Sequence, residues 1–367
     1  MTADTATRIE QALAQQLEAG WNAGVFPGAS ASVAIWEGRG WTYVGHTVGE
    51  RAAGAGAVTT DTIYDLASLT KPWVAMAALH LHHRGAFALD APIHELIPEA
   101  REVPLGGRVW EVVLSHRSGL RAWVPFYETL SHEPGSPAAE AWVLARLIEH
   151  GDANPEGVAV YSDLGYILAG VAMSRAADMQ LDEIVAAEVS MPLGLEDMVF
   201  FGAARSDDAW KSRCAPTGWS PWRGRSLNGE VHDDNCSALG GVAGHAGMFG
   251  TANGVARFGA ACIGAWHGRR GASEEAMMRH ATARRAGGTH RLGWDGKAER
   301  DSAAGTRIGA EAFGHLGFTG TSLWCDPGRQ VVIVLLTNRV AVSEDNTAIR
   351  AFRPAFHDAV IEAFDGP

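Results

Sequence analysis

Ile9, Leu13, Leu17 and Trp21 recur every four residues, the spacing of one apolar helix face, so the chain is expected to open with a helix that Phe26-Pro27-Gly28 ends. Ala29 to Trp36 alternates small and apolar residues. Glu37-Gly38-Arg39-Gly40 reads as a turn, and Trp41 to His46 as the returning strand of a hairpin. Thr59 to Leu66 is a short approach segment to a helix over Ser68 to about Arg84. That helix carries Val74, Ala77, Ala78 and Leu81 on one face, tolerates Pro72 in its first turns and ends at Gly85. Residues 90 to 200 show helical spacing broken by Pro and Gly, as in Ala138 to His150 and Ile167 to Asp178, without strand alternation. Beyond residue 225 the chain turns glycine-rich. Phe313 to Cys325 and Val331 to Thr337 then read as strands joined through Asp326-Pro327-Gly328, and Ala348 to Phe364 as a last helix. Strands at both ends with helices between predict an α/β fold of the α+β type: an antiparallel sheet flanked by helices, with a helical domain inserted. The expected division is residues 1–70 and 225–367 as the split sheet domain and 71–224 as the helical one, with the site at their interface.

A length of 367 residues fits that two-part division. With 47% hydrophobic and 20% charged residues, the composition is that of an ordinary globular protein. A formal net charge of −12 argues against nucleic acid and anionic membranes as partners. The opening residues show neither a basic stretch nor an apolar one, and no run approaches the ~20 apolar residues a membrane span requires, so a cytoplasmic location is expected. Cys214, Cys236, Cys262 and Cys325 form no C-x-x-C pair and read as reduced, buried thiols.

Candidate chemistry sits at Ser68-Leu69-Thr70-Lys71. Three positions apart at a helix start, Ser68 and Lys71 project from one face. A serine hydroxyl needs a neighbouring base to become a nucleophile, and the helix N-terminus favours the negative charge that develops there. Further stretches follow in order: Leu114-Ser115-His116-Arg117-Ser118-Gly119-Leu120, Tyr161-Ser162-Asp163, Val231-His232-Asp233-Asp234-Asn235, Gly244-His245-Ala246-Gly247 and His315-Leu316-Gly317. Over residues from about 25 to 340 this series resembles the serine β-lactamase-like and penicillin-binding protein superfamily. The nearest likeness is to its class C β-lactamase-like branch, which also holds esterases, D-amino-acid peptidases and amidases.

The resemblance implies that Ser68 is acylated, that Lys71 and Tyr161 form the base network, and that the backbone N–H groups of Ser68 and Phe318 form the oxyanion hole. Gly317 would let its strand approach the substrate. Three residues depart from the family pattern. Asp163 stands for the usual asparagine and would hold Lys71 charged, shifting the base role towards Tyr161. His315 stands for lysine and, with an ordinary pKa near ~6.5, is expected to give the pH–rate profile a limb near neutrality. Leu316 stands for a hydroxyl residue that helps bind a substrate carboxylate, which favours simple esters.

The expected activity is therefore that of a serine hydrolase of small-molecule esters or amides. The alternatives are a D-stereospecific peptidase, a transacylase, a weak β-lactamase or a non-catalytic penicillin-recognition module. No cofactor is expected. His232, Asp233, Asp234 and His245 match no metal-binding spacing, so no metal is expected either. Trp219, Trp222, Trp294 and Trp324 are candidates to line an acyl pocket, Trp324 together with Leu316 being the nearest to the site in sequence. The sequence leaves the oligomeric state open.

Overall fold

The computed structural model describes residues 3–366. Helix α1 (Ala3–Asn22) leads into β1 (Gly28–Trp36) and β2 (Trp41–Gly49), joined by a turn in which Glu37 N–H donates to Gly40 O and Gly38 has φ +84°. After β3 (Tyr64–Asp65), every regular element up to β4 (Val199–Phe201) is helical among the described residues. These are α2 (Thr70–His83), α3 (Ile93–Leu96), α4 (Trp110–Leu114), α5 (Pro137–His150), α6 (Asp163–Ala177) and α7 (Leu181–Val185), with short 3₁₀ and π turns between them. The hairpin β5 (Gly218–Ser220) and β6 (Arg225–Leu227) follows, then α8 (Asp234–Ala238), β7 (Met248–Gly250), α9 (Ala252–Trp266) and α10 (Ala272–Thr282). Strands β8 (Asp295–Gly296), β9 (Phe313–Leu316), β10 (Ser322–Asp326) and β11 (Val331–Thr337) and helix α11 (Ile349–Asp365) complete the chain.

The main sheet is antiparallel in the order β2-β1-β11-β10-β9-β8. Its centre is β11, apolar from Val331 to Leu336 because both faces are covered. Val331, Ile333 and Leu335 join Ile9, Leu13, Leu17, Phe356 and Val360 in the core under α1 and α11. Val332, Val334 and Leu336 join Phe258 and Ile263 of α9 in the opposite core, which continues without a break into Trp73, Val74 and the helices of the central segment. The two-residue period of the strand thus assigns alternate side chains to the two cores. A second sheet, β3-β7-β4, lies beneath the start of α2: Tyr64–Asp65 pairs with Gly250–Phe249, and Leu66 N–H donates to Met248 O.

Several expectations need correction. The segment Phe313 to Cys325 is not one strand, since the turn Gly317–Thr321 folds it into β9 and β10, which pair with each other. Trp21 lies beyond the apolar face of α1 and is 45% exposed, whereas Ile9, Leu13 and Leu17 are fully buried. Helix α2 is buried on almost every side, so its periodic face understates its burial. Helix α6 begins four residues before the expected Ile167, where Ser162 Oγ accepts the Gly165 N–H as a cap. It too is buried from Leu164 to Met173, which leaves no polar stripe to mark its phase.

Candidate active site

Ser68 lies on a 3₁₀ turn, Ala67–Leu69, between β3 and α2. Asp65 shapes the turn: its Oδ1 accepts the Ala67 N–H at 2.8 Å and its Oδ2 the His232 N–H at 2.6 Å. Ala67 has φ +48°, a left-handed conformation that costs a residue with a Cβ about 1–3 kcal/mol. Strain of this kind persists where the surroundings enforce it, and here it precedes the hydroxyl that faces the cavity. One helical turn on, Lys71 is fully buried. Its Nζ lies 2.8 Å from Ser68 Oγ, 2.7 Å from Asp163 Oδ1 and 3.2 Å from His245 O. Burial pulls the pKa of this lysine down, but the Asp163 carboxylate and the Tyr161 oxygen hold it above its ordinary range, as a cation.

Tyr161 and Asp163 flank Ser162, the cap of α6, so the helix start sets both side chains at the lysine. The Tyr161 hydroxyl faces Lys71 and Ser68, both of which favour its phenolate, and its ring lies 4.9 Å from Lys71 Nζ. Burial pushes its pKa above the usual phenol value, against the lowering effect of Lys71, so the resting phenol is protonated. His116 holds this segment from behind. It has φ +60°, its Nδ1 accepts the Ser162 N–H at 3.0 Å, and its ring packs 4.7 Å from that of Tyr161. Burial keeps His116 neutral, in agreement with an unprotonated Nδ1.

The other wall comes from β9 and the turn after it. Thr319 Oγ1 donates to Asp65 O and Thr321 Oγ1 to Leu66 O, which ties this turn to the residues just before Ser68. Arg353 of α11 donates to Gly317 O and Thr321 O from the far side. A Cβ on Gly317 would lie 2.0 Å from Thr321 Oγ1 and 2.6 Å from Leu66 O. Gly317→Ala is therefore expected to cost about 1–3 kcal/mol in thermal or urea unfolding and to lower kcat as the turn moves off Ser68; an unchanged kcat would show that the wall tolerates displacement.

His315 departs from the expected limb near neutrality. It is buried, its Nδ1 lies 2.8 Å from Leu316 O, and burial together with the Lys71 charge pushes its pKa down to about 3. A group with a depressed pKa stays neutral through the working range. The near-neutral part of the pH–rate profile is accordingly expected to be the same in His315→Gln as in the parent, whatever the substitution does to the rate.

Ser68, Tyr161, Asp163, His315, Leu316, Gly317 and Phe318 all border one open cavity of about 420 Å³. The sequence-predicted catalytic, supporting and oxyanion-hole residues and Leu316 meet there, with Lys71 just beneath, but none of the four candidate tryptophans, Trp219, Trp222, Trp294 and Trp324, borders the cavity. Trp324 is 1% exposed and packs in the core under α1 and α11, because alternation along β10 points it away from the site. Trp294 is likewise buried, stacked on Phe258 and edge-on to Phe313, while Trp219 is exposed on β5. His245 and Asp233 pair with each other at 2.9 Å, His232 pairs with Glu344, and Asp234 with Arg223. Sequence reading missed His290, Asp295, Arg339, Glu344, Asn346 and Arg350 in the cavity wall. No motif marked them; a histidine and an aspartate five apart in a polar loop carry no periodic signal.

The fold resembles that of solved structures. A class C beta-lactamase superposes with a TM-score of 0.74, at 16% identity, over 98% of this chain and 99% of that one. EstCE1, a hydrolase with promiscuous acyltransferase activity, does so with a TM-score of 0.74 at 19% identity, over 97% and 99%. Both show likeness of fold. In sequence, a putative D-alanyl-D-alanine carboxypeptidase of Salmonella agona (strain SL483) is 27% identical over 313 residues, covering 77% of this chain and 70% of the relative. One of the same description from Escherichia coli (strain K12) is 27% identical over 303 residues, with the same coverage. Residues 10–354 match the family model described as Beta-lactamase, and the chain belongs to that family.

Proposed function

We propose that this chain is a serine hydrolase acting through an acyl-enzyme on carboxylic esters or amides, in a cleft between the split sheet unit (1–70 and 225–367) and the helical unit (71–224). The observation that carries the reading is Ser68 Oγ on an open cavity, 2.8 Å from the Nζ of a buried, cationic Lys71. Because Ser68 Oγ accepts from Lys71, its own proton is free to pass to Tyr161. Tyr161, itself protonated at rest, works as a relay: it takes the Ser68 proton while passing its own to the leaving oxygen or nitrogen. The Ser68 Oγ–carbon bond forms, the ester or amide bond breaks, and the leaving group departs as an alcohol or amine. Lys71 stays a fixed cation that stabilises the developing charge. The N–H groups of Ser68 and Phe318, which have no hydrogen-bond partner in the chain among the described residues, receive the tetrahedral oxyanion.

Leu316 and the half-exposed Phe318 give the cavity an apolar wall suited to a simple ester. A second reading, hydrolysis of an amide beside a free carboxylate, is favoured by Arg350, an exposed guanidinium on the same cavity with no ion pair among the described residues. A panel of p-nitrophenyl esters, D-amino-acid amides, a D-alanyl-D-alanine dipeptide and nitrocefin, with fluorophosphonate labelling of the parent and Ser68→Ala, tests both. The ester reading expects esters to be turned over well above the rest. Preference for the carboxylate-bearing dipeptide, lost in Arg350→Ala, selects the second. Failure of every substrate and of labelling sinks the hydrolase reading.

A further inference from the structure

Tyr161 ends acylation protonated, as it began, so it can serve deacylation only by the same two-proton relay, whereas a separate neutral base would take the water proton outright. The wall of the same cavity holds an imidazole with a carboxylate behind it. His290 and Asp295 both border the cavity, and His290 Nδ1 lies 3.6 Å from Asp295 Oδ1. That Nδ1 is buried without a hydrogen bond at normal distance, yet 22% of the His290 side chain is exposed, so the open part of the ring faces the cavity. The ring lies 5.6 Å from that of Tyr161 and 5.1 Å from that of His116.

The loop carrying the pair is held rigidly, as a catalytic group requires. Gly296 N–H donates to Thr289 O and Arg291 N–H to Trp294 O, which closes the loop on itself. Asp295 sits on β8, paired with Gly314 of β9, and His290 O accepts from Arg117 Nη1 at 2.8 Å. Gly293, at φ +75°, packs against α2 so closely that a Cβ there would lie 2.2 Å from Ala75 Cβ and 3.2 Å from Lys71 O. The loop is thereby fixed to the helix that carries Lys71.

We propose that His290, oriented by Asp295, is the general base of deacylation. The step rests on the acyl-enzyme reading above. A water oxygen bonds to the carbonyl carbon of the Ser68 ester while its proton passes to the open ring nitrogen of His290. The tetrahedral intermediate then collapses, the Ser68 Oγ–carbon bond breaks, and Oγ takes a proton from Tyr161. Tyr161 is reprotonated by His290, across the gap between the two rings, and the acid leaves. The groups facing His290 are Asp295 on its own loop, Arg117 at its carbonyl, the neighbouring His116 ring, and Tyr161 and His315 on the same cavity. Burial holds His290 below the ordinary histidine value, against the pull of Asp295, so the imidazole is neutral and able to accept a proton at pH 7.

The test is pre-steady-state hydrolysis of p-nitrophenyl butyrate with mass detection of the acylated protein. In His290→Gln the p-nitrophenol burst, which reports acylation, should persist at near its parental rate. Steady-state kcat should fall by about 100-fold or more, KM should fall with it, and acyl-Ser68 should accumulate. Asp295→Asn should show the same pattern more weakly. Hydroxylamine, a nucleophile that needs no base near neutrality, should restore release of the acyl group in both variants. A matching fall in burst rate and kcat, or no accumulation of acyl-enzyme, would overturn the proposal in favour of Tyr161 serving both steps. If His290→Gln does not fold, Asp295→Asn decides alone by the same readings. Absence of acyl-Ser68 in every protein, the parent included, would instead sink the acyl-enzyme reading itself.

Discussion

Replacing Ser68 with alanine is expected to lower kcat by about 10⁴- to 10⁶-fold on whichever ester the parent turns over, with no covalent adduct detectable by mass. The oxygen removed accepts from the Lys71 ammonium and belongs to a residue that borders the open cavity. The fold should be little disturbed. Lys71 keeps the Asp163 carboxylate and the His245 carbonyl, so no buried charge is orphaned, and Ser68 itself is only half-buried. An unfolding midpoint within a few degrees of the parent should accompany the loss. Retention of more than about a hundredth of the parental kcat would show that Ser68 is not the nucleophile.

Asp163→Asn is expected to reach both stability and rate. Among the described residues, the carboxylate is the sole formal counter-charge in contact with a lysine that is otherwise entirely enclosed. Removing one partner of a buried ion pair costs about 3–5 kcal/mol, because the remaining charge keeps its desolvation penalty without its attraction. The substitution would also give up the favourable charge in the first turn of α6, worth a further ~0.3–1 kcal/mol. Urea unfolding at pH 7 measures the sum. In the parent, the folded-state pKa of Lys71 lies above its ordinary value of 10.5, so the pair's contribution is complete below that value and is lost only as the pH rises through the folded-state pKa. In the variant the burial effect is left unopposed by Asp163, the lysine pKa falls, and activity that depends on the cation should decline at lower pH than in the parent. An alkaline limb that stays in place would mean the lysine charge is held by something other than Asp163.

The two substitutions act through different physics, and the difference is visible in what each residue contacts. Ser68 belongs to the reaction and touches little else, whereas Asp163 belongs equally to the helix start, the ion pair and the proton network. Tyr161 lies between these cases: its ring packs on His116 while its hydroxyl meets Ser68 and Lys71, so truncation there would mix packing loss with lost relay.

The sequence alone carried the chemistry that depends on local spacing. Ser68 and Lys71 had to share a helix face once a helix began there. The apolar run from Val331 to Leu336 required a strand covered on both faces, and the antiparallel sheet with a helical insert followed from the order of such runs. Only the tertiary structure could decide what those residues do to one another, because protonation depends on burial and on neighbours distant in the chain. An ordinary histidine value made His315 look titratable, but enclosure beside Lys71 removed that property. Position near the site made Trp324 a pocket candidate, but the side on which its strand alternation began turned it into the far core. His290 and Asp295 gave no signal along the chain and reached the cavity only because Gly293 lets their loop press against α2. The Ser68–Lys71 pair was thus legible from spacing, while the charge state of its surroundings came from contacts that only folding creates.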